Sequence, residues 1–169
     1  KSGKAIRFEE DKTRPMGRSA SGVRGITLNG PSDEVIGMVS VSDSETEILV
    51  VSENGYGKRS SLDDYRTTNR GGKGVKTLSI TDKTGELVSI KNVSDLDDLM
   101  IINKSGIAIR MDVADLRVMG RATQGVKLIN LKGTDTIAAV AKVMKDDEEI
   151  PEVSEDDVPT SETDGTNLE

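Results

Sequence analysis

The 169-residue sequence has no cysteine, no histidine and no tryptophan, and its only aromatic residues are Phe8, Tyr56 and Tyr65. Without cysteine there are no disulfides, so a reducing, intracellular setting is permitted. Zinc sites, cysteine nucleophiles and histidine-based triads lose their usual residues. No apolar run approaches the roughly 18 residues of a membrane helix, and the start Lys1-Ser2-Gly3-Lys4 lacks the apolar stretch of a secretory signal. The phosphate-loop pattern G-x-x-x-x-G-K-[ST] does not occur. Carboxylates are plentiful, but no spacing among them favours a magnesium or glycosidase-like site, so no catalytic or metal-binding residue is assigned.

Net charge is −7, and it is unevenly spread. From Met144 onward lie 11 of the 30 acidic residues and one of the 23 basic ones, leaving 22 basic and 19 acidic residues before it. A mildly basic body thus carries an acidic tail. Few large apolar residues occur between 144 and 169, so burial there cannot offset ordering entropy, and the segment is expected to be disordered.

What the body has in abundance is repetition. Arg14 to Ile26 reads R-P-M-G-R-S-A-S-G-V-R-G-I, Tyr65 to Leu78 reads Y-R-T-T-N-R-G-G-K-G-V-K-T-L, and Arg117 to Ile129 reads R-V-M-G-R-A-T-Q-G-V-K-L-I. Aligned on the glycine before Val-basic, these give Gly22, Gly74 and Gly125, 52 and 51 residues apart. Nineteen residues before each stands Gly3, Gly55 or Gly106, followed four residues later by Arg7, Arg59 or Arg110. Between these marks run short segments, all but Tyr56 to Leu62 rich in Val, Ile and Leu: Val35 to Val41, Ile48 to Val51, Tyr56 to Leu62, Leu87 to Val93, Leu99 to Asn103, Ile107 to Val113 and Ile137 to Val143. Asn54-Gly55 predicts a tight two-residue hairpin turn. About four short strands per period of about 50 residues is the pattern of propeller blades. The expectation is an all-β, propeller-like body over residues 1–143, with repeats near 1–52, 53–103 and 104–143. Lys1-Ser2-Gly3-Lys4-Ala5-Ile6-Arg7 matches Lys104 to Arg110 but lacks the apolar run before it, so the chain is expected to start inside a repeat of a longer array.

Three basic positions recur in register: Arg7, Arg59 and Arg110; Arg18, Arg70 and Arg121; Arg24, Lys76 and Lys127. Arg14, Lys58, Arg66, Lys73 and Arg117 add to them. Strand alternation is expected to put these cations on an outer rim, while Gly71, Gly72 and Gly74 leave backbone N–H groups bare for a phosphate to approach. A charged, solvated edge that blocks sheet pairing is the plain alternative. Three aromatics are too few to stack single strands, so duplex DNA held by its backbone is the expected partner. Neutralising roughly six to nine phosphates makes affinity fall about a thousandfold or more between low and physiological salt.

The segments R-P-M-G-R-x-A-x-G-V-R-G-I at 14 to 26, N-G-Y-G-K-R at 54 to 59 and V-M-G-R-x-T-Q-G-V at 118 to 126 resemble the last three blades of the C-terminal domain of the DNA gyrase A subunit. The resemblance covers nearly all of residues 1–143 and includes an acidic tail. It implies a six-bladed β-pinwheel whose blades exchange strands, of which this chain would supply about three four-stranded blades. It also implies wrapping of duplex DNA around a basic rim in support of ATP-dependent negative supercoiling. The active-site tyrosine, the ATPase and its magnesium belong elsewhere in that assembly, so Tyr56 and Tyr65 receive no catalytic role and this chain no cofactor. Implied partners are the gyrase B subunit, together with the remainder of the A subunit, in an A2B2 assembly located in the cytoplasm at the nucleoid. The family's signature Q-R-R-G-G-K-G falls on Thr68 to Gly74, where Arg70, Gly71, Gly72, Lys73 and Gly74 are kept but Thr68 and Asn69 replace Gln and Arg. The family's own box is therefore expected upstream of this chain. Two alternatives stand: the equivalent domain of topoisomerase IV, which shares the fold, and a protein-binding propeller module.

Overall fold

The structure is a computed structural model, and it describes residues 1–42 and 46–145. The acidic tail lies outside the described residues from 146 on. The elements are nine strands: β1 (Lys4–Ala5), β2 (Glu47–Ser52), β3 (Tyr56–Ser61), β4 (Val75–Lys76), β5 (Leu87–Val93), β6 (Asp97–Asn103), β7 (Ala108–Asp112), β8 (Val126–Lys127) and β9 (Ile137–Met144). Short 3₁₀ turns at Glu10–Lys12 and Leu62–Asp64 complete the set.

The strands form three antiparallel sheets, in the orders β1-β4, β5-β2-β3-β8 and β7-β6-β9. Within each repeat the hairpin strand and the last strand flank a central one: β5 and β3 lie on β2, and β9 and β7 lie on β6. The fourth strand comes from the following repeat. Lys76 sits opposite Lys4 in one sheet, and Lys127 sits opposite Tyr56 in the next, one period on. This is the strand exchange that the resemblance implies. It also explains why the repeats cannot be cut apart cleanly along the sequence.

Burial explains the apolar runs. Alternate residues of a strand face opposite sides of a sheet. In β2, Leu49 and Val51 enter a core with Val93, Leu99, Ile101, Val113, Leu116, Ile137 and Val140. Ile48 and Val50 enter a second core with Leu62, Tyr65, Leu78 and Leu87. The middle sheet is buried on both faces because it is packed against a neighbour on each side, so Ile48-Leu49-Val50-Val51 reads as an unbroken apolar run rather than an alternation. At roughly 1.5–3 kcal/mol per fully buried large aliphatic side chain, this stacking is the main source of stability.

Three expectations need correction. Val35 to Val41 forms no strand. Ile36, Val39 and Val41 still pack against the second core, but no central strand lies beside the run among the described residues, and a strand is a paired element. The sheets hold two, four and three strands rather than three sets of four, because β1 likewise lacks a central strand and β7 lacks an exchanged one. The β2–β3 hairpin has a three-residue connection, Glu53 to Gly55, with positive φ only at Gly55. Asn54 instead uses its side-chain amide to donate to the carbonyls of Asp82 and Lys83. The other strands lie within two residues of their expected limits, save that the strand expected over Lys1 to Phe8 is reduced to β1 and that the long basic segments contribute only the two-residue β4 and β8.

Candidate nucleic-acid interface

The junction between consecutive repeats is built twice on one plan. The amides of Thr77 and Leu128 donate to the carbonyls of Gly3 and Gly55, and those of Thr68 and Met119 donate to the carbonyls of Arg7 and Arg59. Single parallel bridges join Arg7 to Thr67 and Arg59 to Val118. Gly74 and Gly125 both have positive φ, and a Cβ on either would overlap a backbone carbonyl of the preceding repeat, that of Ala5 or of Gly57. Gly22, aligned with them, also has positive φ but has nothing within 4 Å of a Cβ. The recurrent glycine therefore serves close passage of the exchanged segment over the neighbouring hairpin.

The recurrent cations separate into groups. Arg7 donates to the carbonyls of Leu62 and Tyr65, at 3.1 and 3.3 Å. Arg59 donates to the carbonyls of Leu116 and Ala114, pairs with Asp95, and lies 2.9 Å from the Glu47 carboxylate. Arg59 is 7% exposed. Both act as latches on the corner where the next repeat turns. In the third repeat Arg110 is exposed and pairs with Asp98 at 2.5 Å. Rim placement, expected for all three from strand alternation, does not hold for Arg59: the incoming repeat covers its strand.

Lys58 is also displaced from the expected rim. It is fully buried, and its ammonium donates to the Gly120 carbonyl at 2.5 Å and to Thr123 Oγ1 at 3.1 Å. Burial is the main cause that pushes its pKa down to about 8, with the Arg121 charge adding and Asp64 opposing. The equivalent positions are Ile6 and Ile109, so the repeat pattern itself marks position 58 as apolar and interior, a signal that the search for recurrent cations did not use. Tyr65 is buried too, its hydroxyl 2.5 Å from Thr77 Oγ1, and burial raises its pKa.

Arg70 and Arg121 span successive basic segments. Arg70 donates through Nε to the Lys12 carbonyl at 2.9 Å and through Nη1 to the Arg24 carbonyl at 3.2 Å. Arg121 donates through Nη1 to the Lys76 carbonyl at 2.9 Å. Around them Thr27 and Gly71 exchange backbone and side-chain bonds with Gly72, Gly71 and Gly25. Gly71 and Gly72 thus hold two segments together, a role that sequence reasoning did not assign.

The remaining cations are exposed: Arg14, Arg18, Arg24, Arg66, Lys73, Lys76, Arg117 and Lys127. Lys76 and Lys127 hold equivalent places on the two exchanged strands, Arg24 holds the aligned place on a segment without strand structure, and Arg66 and Arg117 are equivalent to each other. Arg66, Lys73 and Asn69 also line a hollow of about 200 Å³ between Arg7 and Gly74. Pairing brings Lys4 directly opposite Lys76. Like charges at facing positions repel, and an anion between them relieves that repulsion. The Lys83 ammonium stands 5.3 Å from the centre of the Tyr56 ring, beside Lys127 in the same sheet. Lys4 and Lys83 escaped the sequence reading because neither recurs in register. Arg14 and Arg18 lie on a segment without strand structure. Among the described residues no group of three or more acidic side chains could hold a metal ion, and no helix is long and apolar enough to cross a membrane.

Short antiparallel sheets that trade a strand with the next repeat and carry periodic cations define a propeller-like, strand-exchanged repeat domain. The family model described as DNA gyrase C-terminal domain, beta-propeller, matches residues 1–42, 46–94 and 97–144. The chain belongs to that family. It is 49% identical over 162 residues to the DNA gyrase A subunit of one Staphylococcus aureus strain and 51% identical over 163 residues to that of another. These alignments cover 95% of the chain but 18% of either relative. A solved DNA gyrase A C-terminal domain superposes over 85% of the chain and 48% of its own length, with a TM-score of 0.77 at 28% identity. A topoisomerase IV C-terminal domain superposes with a TM-score of 0.79 over 85% of the chain and 44% of its own, at 21% identity, and so attests the fold.

Proposed function

We propose that this chain binds duplex DNA along the exposed cations of its exchanged segments and bends it around successive repeats. The observation that carries the reading is the recurrence of Arg24, Lys76 and Lys127 as exposed cations at aligned positions, two of them on exchanged strands; cations spaced in this way suit backbone phosphates rather than base edges. Family membership supports it. Bending a short duplex costs on the order of several kcal/mol, which a row of contacts acting together can offset.

Within a whole protein like the Staphylococcus aureus relatives, the chain would be the DNA-wrapping part of a gyrase A subunit, serving negative supercoiling in the cytoplasm. Catalytic tyrosine, ATP, magnesium and B-subunit contacts are assigned to regions outside this chain. Binding of the 169-residue chain to a short duplex across a salt series tests the reading. A log–log slope near −0.9 per phosphate contacted is expected; binding insensitive to salt, or absent at low salt, contradicts it.

A further inference from the structure

The hydrogen bonds of Arg70 and Arg121 point to a role distinct from that of the exposed cations. Each guanidinium ends on the backbone carbonyl of the residue one repeat earlier that itself extends an exposed cation, Arg24 or Lys76. Fixing that carbonyl fixes the peptide plane and so the direction in which the cation leaves the chain. Arg70 engages two carbonyls of the earlier segment at once, which a planar fork of donors does and a lysine ammonium on a flexible stem does not.

We propose that Arg70 and Arg121 are positioning residues for duplex bending: they set the angle between successive exchanged segments, and through it the path of the DNA. The inference rests on the reading of the rim as a duplex-binding surface. The two sites are not equally supported. Beside Arg70, Thr27 donates to the Gly72 and Gly71 carbonyls and the Gly71 amide donates to that of Gly25. Beside Arg121, the corresponding backbone bond is that from Ser79 to the Thr123 carbonyl. Arg121 therefore carries the larger share at its junction.

The test combines end-to-end energy transfer on a short end-labelled duplex with the salt dependence of binding, using the full chain and the variants Arg121→Lys, Arg121→Gln and Arg70→Lys, each first shown to melt as the parent does. Arg121→Lys is expected to keep the salt slope and to lose about half of the duplex shortening at saturation, and Arg70→Lys to lose less. Arg121→Gln is expected to match Arg121→Lys in shortening. Shortening by Arg121→Lys equal to the parent's overturns the proposal. So does a salt slope about 0.9 smaller in Arg121→Gln with shortening intact, since that identifies a phosphate ligand. A parent chain that binds without bending the duplex overturns it as well, whereas a parent that does not bind refutes the duplex-binding reading itself.

Discussion

The junction made by β1 and β4 and the junction made by β3 and β8 share a backbone plan and differ in what fills it. Both have a glycine passing over a hairpin, an arginine latching the next corner and equivalent backbone bonds. At the first, Ile6 occupies the position below the exchanged segment, and among the described residues Arg7 has carbonyl partners alone. At the second, Lys58 takes that position and Arg59 adds the carboxylates of Glu47 and Asp95. The difference shows that recurrence of a basic residue specifies the backbone junction, while its neighbours decide whether its charge faces solvent. Counting cations in register overstates the binding surface.

The sharpest way to break this comparison is at the latches. Arg59→Met is expected to cost about 3 kcal/mol, because it orphans the buried Leu116 carbonyl and the largely buried Glu47 carboxylate. Arg7→Met, which leaves two carbonyls partly exposed, is expected to cost about half as much; equal losses in chemical denaturation contradict the distinction. Next come the glycines. Gly125→Ala combines strain at positive φ with crowding against the Gly57 carbonyl and is expected to cost about 2–4 kcal/mol. Gly22→Ala meets open space and is expected to cost about 1–2 kcal/mol from the backbone alone.

Lys58 sharpens the comparison through pH. Its folded pKa of about 8 lies below the ordinary 10.5, so between those values the unfolded chain binds more protons. Stability then rises with pH across that window, by on the order of 2 kcal/mol. Tyr65, with its pKa raised by burial, works the other way above about 10, where the unfolded state loses its proton first. Lys58→Ile, copying Ile6, is expected to remove the rise and to be no less stable at pH 7. A rise that persists in the variant assigns it to another group. The smallest effect is expected at Arg110, whose exposed guanidinium reaches the largely buried Asp98 carboxylate: Arg110→Met is expected to cost about 1 kcal/mol.

Strand positions were legible because apolar runs and turn glycines are local signals: β5 falls on Leu87–Val93 as expected, and β2 and β9 are off by a residue at most. The exchange itself was legible only through the resemblance, since nothing in Gly74-Val75-Lys76 says that Ala5 is its neighbour. Val35 to Val41 was misjudged because an apolar run shows affinity for a core and leaves open whether a strand stands ready to pair. Among the cations, Arg24, Lys76 and Lys127 are exposed as expected. Lys58 and Arg59 are buried because the next repeat covers them, a long-range consequence of topology, and Lys4 faces Lys76 for the same reason.

The division of the cations is tested most directly by the salt dependence of duplex binding in two variants of the full chain, Lys76→Gln and Lys58→Ile. Each removes one positive charge from the same set of basic residues. The expected result is a slope smaller by about 0.9 for Lys76→Gln and unchanged for Lys58→Ile. An equal loss in both contradicts the division, because it gives the buried ammonium a place on the DNA-facing surface.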